Sequence, residues 1–351
     1  MMKSRMMRRL CQIAGMLPLI AGSISFVVST GVPAFAQVHL DSAMVAEHDR
    51  MLALVPTNQA THVAVGSGPW NSGSTWNTGN VPGNDAKVYI PAGRTVTYNS
   101  NATTPIRWLR VEGKITFQNN INTALYVDTI VVDENAEWEQ GTTGAPIQSS
   151  VRSEIVFTDT GAIDTTNYDP SFVSRGLLSH GKVRICGTTV TPFLKTNSAL
   201  GVGATAAALQ STPTGWQTGD TIVVSGTSLK YRNPSGGDFT PISSDEQRTL
   251  ATLSGGNIGL SSGLSTARPV EYPSFGLYSY VSNYSRNVYF RSANTADASR
   301  RGHVMFMHNR DVDVRYAGFY SLGRTRKDID VTSSATSALP AGNNPRGRYA
   351  V

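Results

Sequence analysis

From Lys87 onward polar and apolar residues alternate in short runs: Lys87-Val88-Tyr89-Ile90, Thr95-Val96-Thr97-Tyr98, Trp108-Leu109-Arg110-Val111 and Lys114-Ile115-Thr116-Phe117. A period of two, filled with β-branched and aromatic residues, predicts strands with one buried side. Gly, Pro and Asn interrupt the runs. Val81-Pro82-Gly83-Asn84-Asp85, Pro91-Ala92-Gly93 and Glu112-Gly113 read as turns, in which Pro pre-sets φ and Gly or Asn supplies positive φ. The rhythm continues through Leu125-Tyr126-Val127, Thr129-Ile130-Val131-Val132 and Glu154-Ile155-Val156-Phe157. The one plausible helix is Asp41 to Leu54, where Ala43, Met44, Ala46, Met51 and Leu52 are available for a partly apolar face, with a loosely ordered linker before the domain as the alternative.

Strands this short cannot bury an apolar side alone, so they must stack as coils of a solenoid. Arg107 to Gly113 and Val127 to Asp133 read as two successive coils. Further on, Ser285 to Ala293 aligns with Asn309 to Ala317, which puts Val288 and Val312 24 residues apart. This repeat predicts that Val288 and Phe290 point inward beneath Val312 and Val314, with Val304 and Phe306 inward on the strand between. Tyr289, Arg291, His303, Asp313 and Arg315 then face outward on neighbouring coils.

The stretch Trp70 to Phe117, with Trp70-x-x-Gly73-x-x-Trp76, Val81-Pro82-Gly83, Ile90-Pro91-Ala92-Gly93 and Leu109-x-Val111-Glu112-Gly113-x-Ile115-x-Phe117, resembles the G8 domain, a glycine-rich β module of extracellular proteins. Ser179-His180-Gly181-Lys182 closes the module in this resemblance. Trp216-x-x-Gly219-Asp220-x-Ile222-Val223-Val224 is similar to the continuation found in G8-containing proteins. The resemblance implies an all-β chain, with a G8 domain at 61–187 and at 188–351 the first rungs of a right-handed parallel β-helix of the pectin lyase type; the residues before it divide into a signal peptide at 1–36 and a linker or short helix at 37–60. In the proteins it resembles, the segment matching Gly347-Arg348-Tyr349-Ala350-Val351 runs into a His-rich strand and further coils. The resemblance therefore implies coils beyond Val351, and a chain cut short at its C-terminus.

The first residues change how the charge is counted. Lys3, Arg5, Arg8 and Arg9 precede the mostly apolar Ile13 to Val28, and Ala34-Phe35-Ala36 is a small-x-small site, so a signal peptide cleaved near Ala36 and a secreted or cell-surface location are expected. Pro18, Ser23 and Ser25 interrupt the apolar run, which argues against a stable membrane span. Without the leader, 30 basic and 24 acidic residues become 26 and 24, and nucleic-acid binding loses its compositional support. Cys11 leaves with the leader. Cys186 then stands alone, no intrachain disulfide forms, and stability has to come from a large buried core. No spacing of His, Cys and carboxylates suits a metal, and no phosphate loop or dinucleotide fingerprint is present, so no cofactor is expected.

Some proteins with the resembled arrangement bind or depolymerise hyaluronan, and others are large cell-surface receptors. The resemblance therefore implies an extracellular polysaccharide of the hyaluronan type as partner, with a non-catalytic adhesion or structural module as the alternative. It leaves open whether the chain is an enzyme. Glycoside hydrolysis usually needs paired carboxylates. Asp245, Glu246, Asp311 and Asp313 are the candidates, with His303 as proton donor. Tyr289, Arg291 and Arg315 are the expected sugar contacts, the arginines as carboxylate clamps. Trp70, Trp76, Trp108 and Trp138 suit the core better than a sugar platform, and Gly219-Asp220 is most simply a turn before a strand.

Overall fold

A computed structural model describes residues 42–227, 230–232, 240–242, 244–270, 273–309, 311–325, 344 and 348–351. The expected signal peptide lies outside the described residues. Helix α1 (Ser42–Ala53) is followed by strands that wind in coils. The first four coils are β1 (His62–Val63) with β2 (Gly68–Pro69), β3 (Lys87–Ile90) with β4 (Thr95–Tyr98), β5 (Ile106–Val111) with β6 (Lys114–Phe117), and β7 (Thr123–Val132) with β8 (Glu137–Gln140). The fifth coil contains β9 (Ser153–Phe157), β10 (Gly176–Ser179) and β11 (Lys182–Cys186).

Parallel pairing sorts these strands into three faces. The long strand β7 starts the division, because its first half pairs with β9 and its second half with β10. The first face grows from β7 through β9, the second contains β1, β3, β5, β7 and β10, and the third contains β2, β4, β6, β8 and β11. Alternation then fixes what is buried. Val88, Leu109, Ile130 and Leu177 stack inside the second face, and Val96, Ile115, Trp138 and Val183 inside the third. All eight are shielded from solvent, each contributing about 1.5–3 kcal/mol of burial. Trp70, Trp76, Trp108 and Trp138 are all buried. They fill the core and its flank, and offer no ring to a sugar.

The run of coils expected from residue 188 is interrupted. After β11 the chain leaves the stack and forms an antiparallel unit: β12 (Phe193–Lys195), β13 (Ala206–Ala208), β14 (Thr221–Val224), the hairpin β15 (Lys230–Arg232) and β16 (Thr240–Ile242), β17 (Glu246–Ser254), β18 (Asn257–Leu260) and β19 (Tyr280–Asn283). Six of these strands form one sheet in the order β12-β19-β14-β17-β18-β13. The local cause is visible between β17 and β18. Ser254 and Asn257 face each other across Gly255-Gly256, with Gly255 at φ 58, a two-residue turn that returns the chain antiparallel. Ile222, Val224, Leu250, Ile258 and Val281 give this unit its own core. Gly219-Asp220 is a turn, as expected, with Asp220 Oδ2 accepting from the Gln217 N–H at 2.8 Å.

The stack resumes as though uncut, with β20 (Val288–Ser292) on β9, β21 (His303–Phe306) on β10, β22 (Val312–Arg315) on β11, and β23 (Ala317–Tyr320) on β20. Asn287 marks the joint. Its Oδ1 accepts from the Thr188 N–H at 2.9 Å, and its Nδ2 donates to the carbonyls of Gln148 and Val151 at 2.9 and 3.1 Å, which holds the two ends of the insertion together. The 24-residue repeat is not a turn of the solenoid. Val288 lies beside Ser153 and Ala317 on the first face, whereas Val312 lies beside Val183 on the third. Both segments alternate in the same way because every face of the coil imposes that alternation.

Candidate functional site

On the first face Leu125, Ile155, Phe290 and Phe319 point inward, and the Phe290 and Phe319 rings stack with centroids 5.4 Å apart. The intervening positions Tyr126, Glu154, Tyr289, Arg291 and Tyr320 therefore line the outside. Arg291 is the centre of this row. Its Nε donates to Glu154 Oε2 at 3.2 Å, an Nη donates to the Tyr126 hydroxyl at 3.2 Å, and its guanidinium lies 6.0 Å from the Tyr126 ring centre. Burial works most strongly against its charge, but the Glu154 hydrogen bond and charge, together with Tyr126, outweigh it and raise its pKa. The Tyr289 hydroxyl is pushed up, first by burial and then by the Glu154 charge. Both tyrosines of the row's upper end stay neutral in physiological conditions, since burial also raises Tyr320.

Tyr320 joins the row to a groove. Its ring lies over Gly318, where a Cβ would sit 2.5 Å from ring atoms, and its centroid is 5.9 Å from that of Tyr289. Its hydroxyl donates to the Tyr284 carbonyl at 2.6 Å. The groove, about 360 Å³, lies between the last coil and the antiparallel unit. Its walls include Phe193, Asn283, Tyr284, Arg286, Phe319 and Tyr320. Phe193 and Tyr284 are more than half exposed. Beside it Phe193 packs edge-on to Tyr280, and Lys195 Nζ lies 5.4 Å from the Tyr280 ring centre. Exposed rings, a guanidinium and positive charge together suit a flat, acidic ligand.

The predicted residues are dispersed. Tyr289 and Arg291 belong to this row. Asp313 and Arg315 lie on the third face, where they pair with each other at 2.8 Å, largely in solvent. Asp245 and Glu246 lie in the antiparallel unit. Asp245 is exposed and its Oδ1 accepts from the Gly226 N–H at 2.8 Å. Glu246 is committed to structure: Oε1 accepts from Arg268 and the Thr266 N–H, both at 2.9 Å, and Oε2 accepts from the Ser265 N–H at 2.8 Å and from Arg248. These bonds outweigh its partial burial and hold its pKa down to about 2.

His303 corrects the expectation most directly. It does sit on the outer side of its strand, since Val304 points inward, but that side is roofed and His303 is fully buried. Arg324 forms part of the roof, bonding to the carbonyls of Phe172, Ser174 and Arg301, and Arg348 Nε donates to the Phe172 carbonyl at 2.6 Å. Neither His303 ring nitrogen has a hydrogen-bond partner among the described residues. Burial first, then the charges of Arg324 and Arg348, push its pKa well below the ordinary 6.5. A sealed neutral imidazole cannot donate a proton to a glycosidic oxygen. Acid, base and clamp thus face different surfaces, and the quartet Asp245, Glu246, His303 and Asp313 does not converge.

Phe193, Tyr284, Arg286 and Tyr320 escaped the sequence reading. Each is an unremarkable residue in its own segment. Only the return of the chain from the insertion to the stack brings them to one groove.

Residues 75–197 match the family described as "G8 domain". No curated protein matches the chain. Among solved structures, the crystal structure of the tailspike gp61 of Pseudomonas phage phi297 is similar at 11% identity and a TM-score of 0.22, over 53% of this chain and 24% of that one. No helix among the described residues is long and apolar enough to cross a membrane.

Proposed function

We propose that this chain binds an acidic extracellular polysaccharide of the hyaluronan type along the outer first face and into the groove beside it. The observation that carries the reading is the unbroken passage from Tyr126, Arg291 and Tyr289 through Tyr320 into a groove walled by Tyr284, Phe193 and Arg286. Sugar C–H faces pack on such rings, and uronate carboxylates are drawn to Arg286 and Arg291. The G8 match and the leader-like N-terminus support an exported setting.

Binding without cleavage is the favoured form. A retaining glycosidase holds two carboxyl groups about 5–5.5 Å apart and an inverting one about 6.5–9.5 Å apart. Among the described residues no carboxylate lines the groove, and Glu154 in the neighbouring row is buried and bonded to Arg291. The test is calorimetric titration with hyaluronan oligosaccharides, run beside a reducing-end assay. Saturable binding that weakens at least tenfold in Tyr320→Ala and Arg286→Ala, with no new chain ends, supports the reading. No binding, or binding indifferent to both substitutions, refutes it.

A further inference from the structure

Helix α1 meets the stack at the corner where the second face turns into the third. Successive coils place Asp133, His180 and Met307 at this corner, with the His180 N–H donating to the Val132 carbonyl and the Met307 N–H to the Ser179 carbonyl. Met51, together with Leu54 and Val55 just beyond the helix, packs against Trp108, Leu178 and Met307 and anchors the helix there. Docked this way, α1 presents Glu47 and His48 to the corner. His48 Nε2 lies 3.0 Å from Asp133 Oδ1, and its Nδ1 lies 3.1 Å from Nδ1 of His180. His308 follows β21, with its Nε2 3.1 Å from Glu47 Oε2 and its ring centroid 5.8 Å from that of His180. Its backbone has φ 50, a left-handed conformation that is sparsely populated outside glycine and is over-represented where a side chain is held for a purpose.

The geometry points to a divalent transition-metal site at this corner, with His48 Nδ1 and His180 Nδ1 as the first two ligands and His308 as the third. A carboxylate on Nε2 keeps the ring proton there and leaves the lone pair on Nδ1, the arrangement by which proteins orient metal-bound imidazoles. Asp133 does this for His48 and Glu47 does it for His308. Two nitrogens 3.1 Å apart subtend about 100° at an ion about 2.05 Å from each, close to a tetrahedral angle. An all-imidazole set suits zinc, nickel or copper and rejects magnesium and calcium. Among the described residues no three ligand groups already converge on one point, so the ion draws the His308 ring inward, and solvent takes the remaining position. His308 is the exposed member of the three. Neither the G8 match nor the polysaccharide reading calls for this site, since α1 lies before the matched residues. Its effect is to tie α1 to the coils.

The test uses the purified chain without a histidine tag, stripped with chelator. Zinc is titrated by calorimetry and cobalt by visible absorption. One ion per chain and a d–d band of imidazole-bound cobalt are expected. Both should be lost in the double variant His48→Ala, His180→Ala, and affinity should fall about tenfold to a hundredfold in Asp133→Asn. Circular dichroism in chelator checks that the variants keep the strand signal of the wild type. Absence of saturable one-to-one binding, or binding retained by the folded double variant, overturns the proposal. In that outcome His48 and His180 share only a hydrogen bond.

Discussion

Glu246→Gln removes one charge from a carboxylate that bridges two arginines, and its cost can be worked out from the geometry. The Arg268 side chain is fully buried and the Arg248 side chain nearly so, and both rely on Glu246 for charge compensation. The fold holds the Glu246 pKa at about 2 against an ordinary 4.5. At about 1.36 kcal/mol per pKa unit this corresponds to about 3.4 kcal/mol, which solvent near the carboxylate screens to about 2 kcal/mol. Breaking a buried pair outright costs about 3–5 kcal/mol, but Gln keeps an oxygen for the Ser265 or Thr266 N–H. A loss of about 2–3 kcal/mol at pH 7 is expected. The pH dependence fixes the sign. A depressed carboxylate pKa stabilises the fold above about 4.5, and that contribution is lost as the pH falls from 4.5 through 2. Urea unfolding of wild type and variant at pH 7 and again near pH 2.5 should therefore show a gap that mostly closes in acid. A gap absent at pH 7, or unchanged in acid, refutes the assignment of Glu246 to structure and reopens a chemical role for it.

Val304→Asp should prevent folding of the last coils, because it buries an unpaired charge in the stack, whereas Asp313→Asn, on an exposed pair, should shift stability by less than about 1 kcal/mol; equal effects in thermal melts would show that the inside and outside are misassigned. His303→Leu should flatten the stability profile below pH 6.5: burial keeps His303 neutral in the fold while the unfolded chain takes up a proton, so wild-type stability falls as the pH drops through 6.5. Denaturation midpoints at pH 7.5 and 5.5 measure this, and an identical slope in the variant would disprove it. Cys186→Ala should leave polysaccharide binding intact, since the thiol is buried and its pKa is raised chiefly by burial, which leaves it inert; a binding loss with an unchanged melting temperature would contradict this.

The coils were legible where one residue's environment repeats in the next. Val88, Leu109 and Ile130 announce a buried column because each sits in a short run of strand character set off by turn residues, whereas Asp41 to Leu54 read equally well as a helix or a linker. Strand direction was not legible. The segment after Gly219-Asp220 reads as a strand, but alternation is the same in a parallel coil and an antiparallel hairpin, so the insertion went unseen. The roof over His303 was hidden for a related reason. Periodicity tells inside from outside within one coil, and says nothing of a distant segment, here that of Arg324 and Arg348, laid over the outside. Tyr289 and Arg291 do lie on the outer row of the first face, half-buried among the described residues. Their neighbours in the groove depended on a contact between segments far apart in sequence.

The joint at Asn287 bears on how the molecule is made. Strand β20 must find β9 across the whole antiparallel unit, and contacts of such long range slow folding because the intervening loop has to close first. The insertion has its own core and can fold early. Once it has folded, its ends are already near each other, and the closure left to the stack is short. Until then the fifth coil presents the bare edges of β9, β10 and β11, three parallel strands with unpaired N–H and carbonyl groups that would template pairing with a second chain. An insertion slow to fold would therefore show itself first as aggregation of newly made protein rather than as instability of the finished fold.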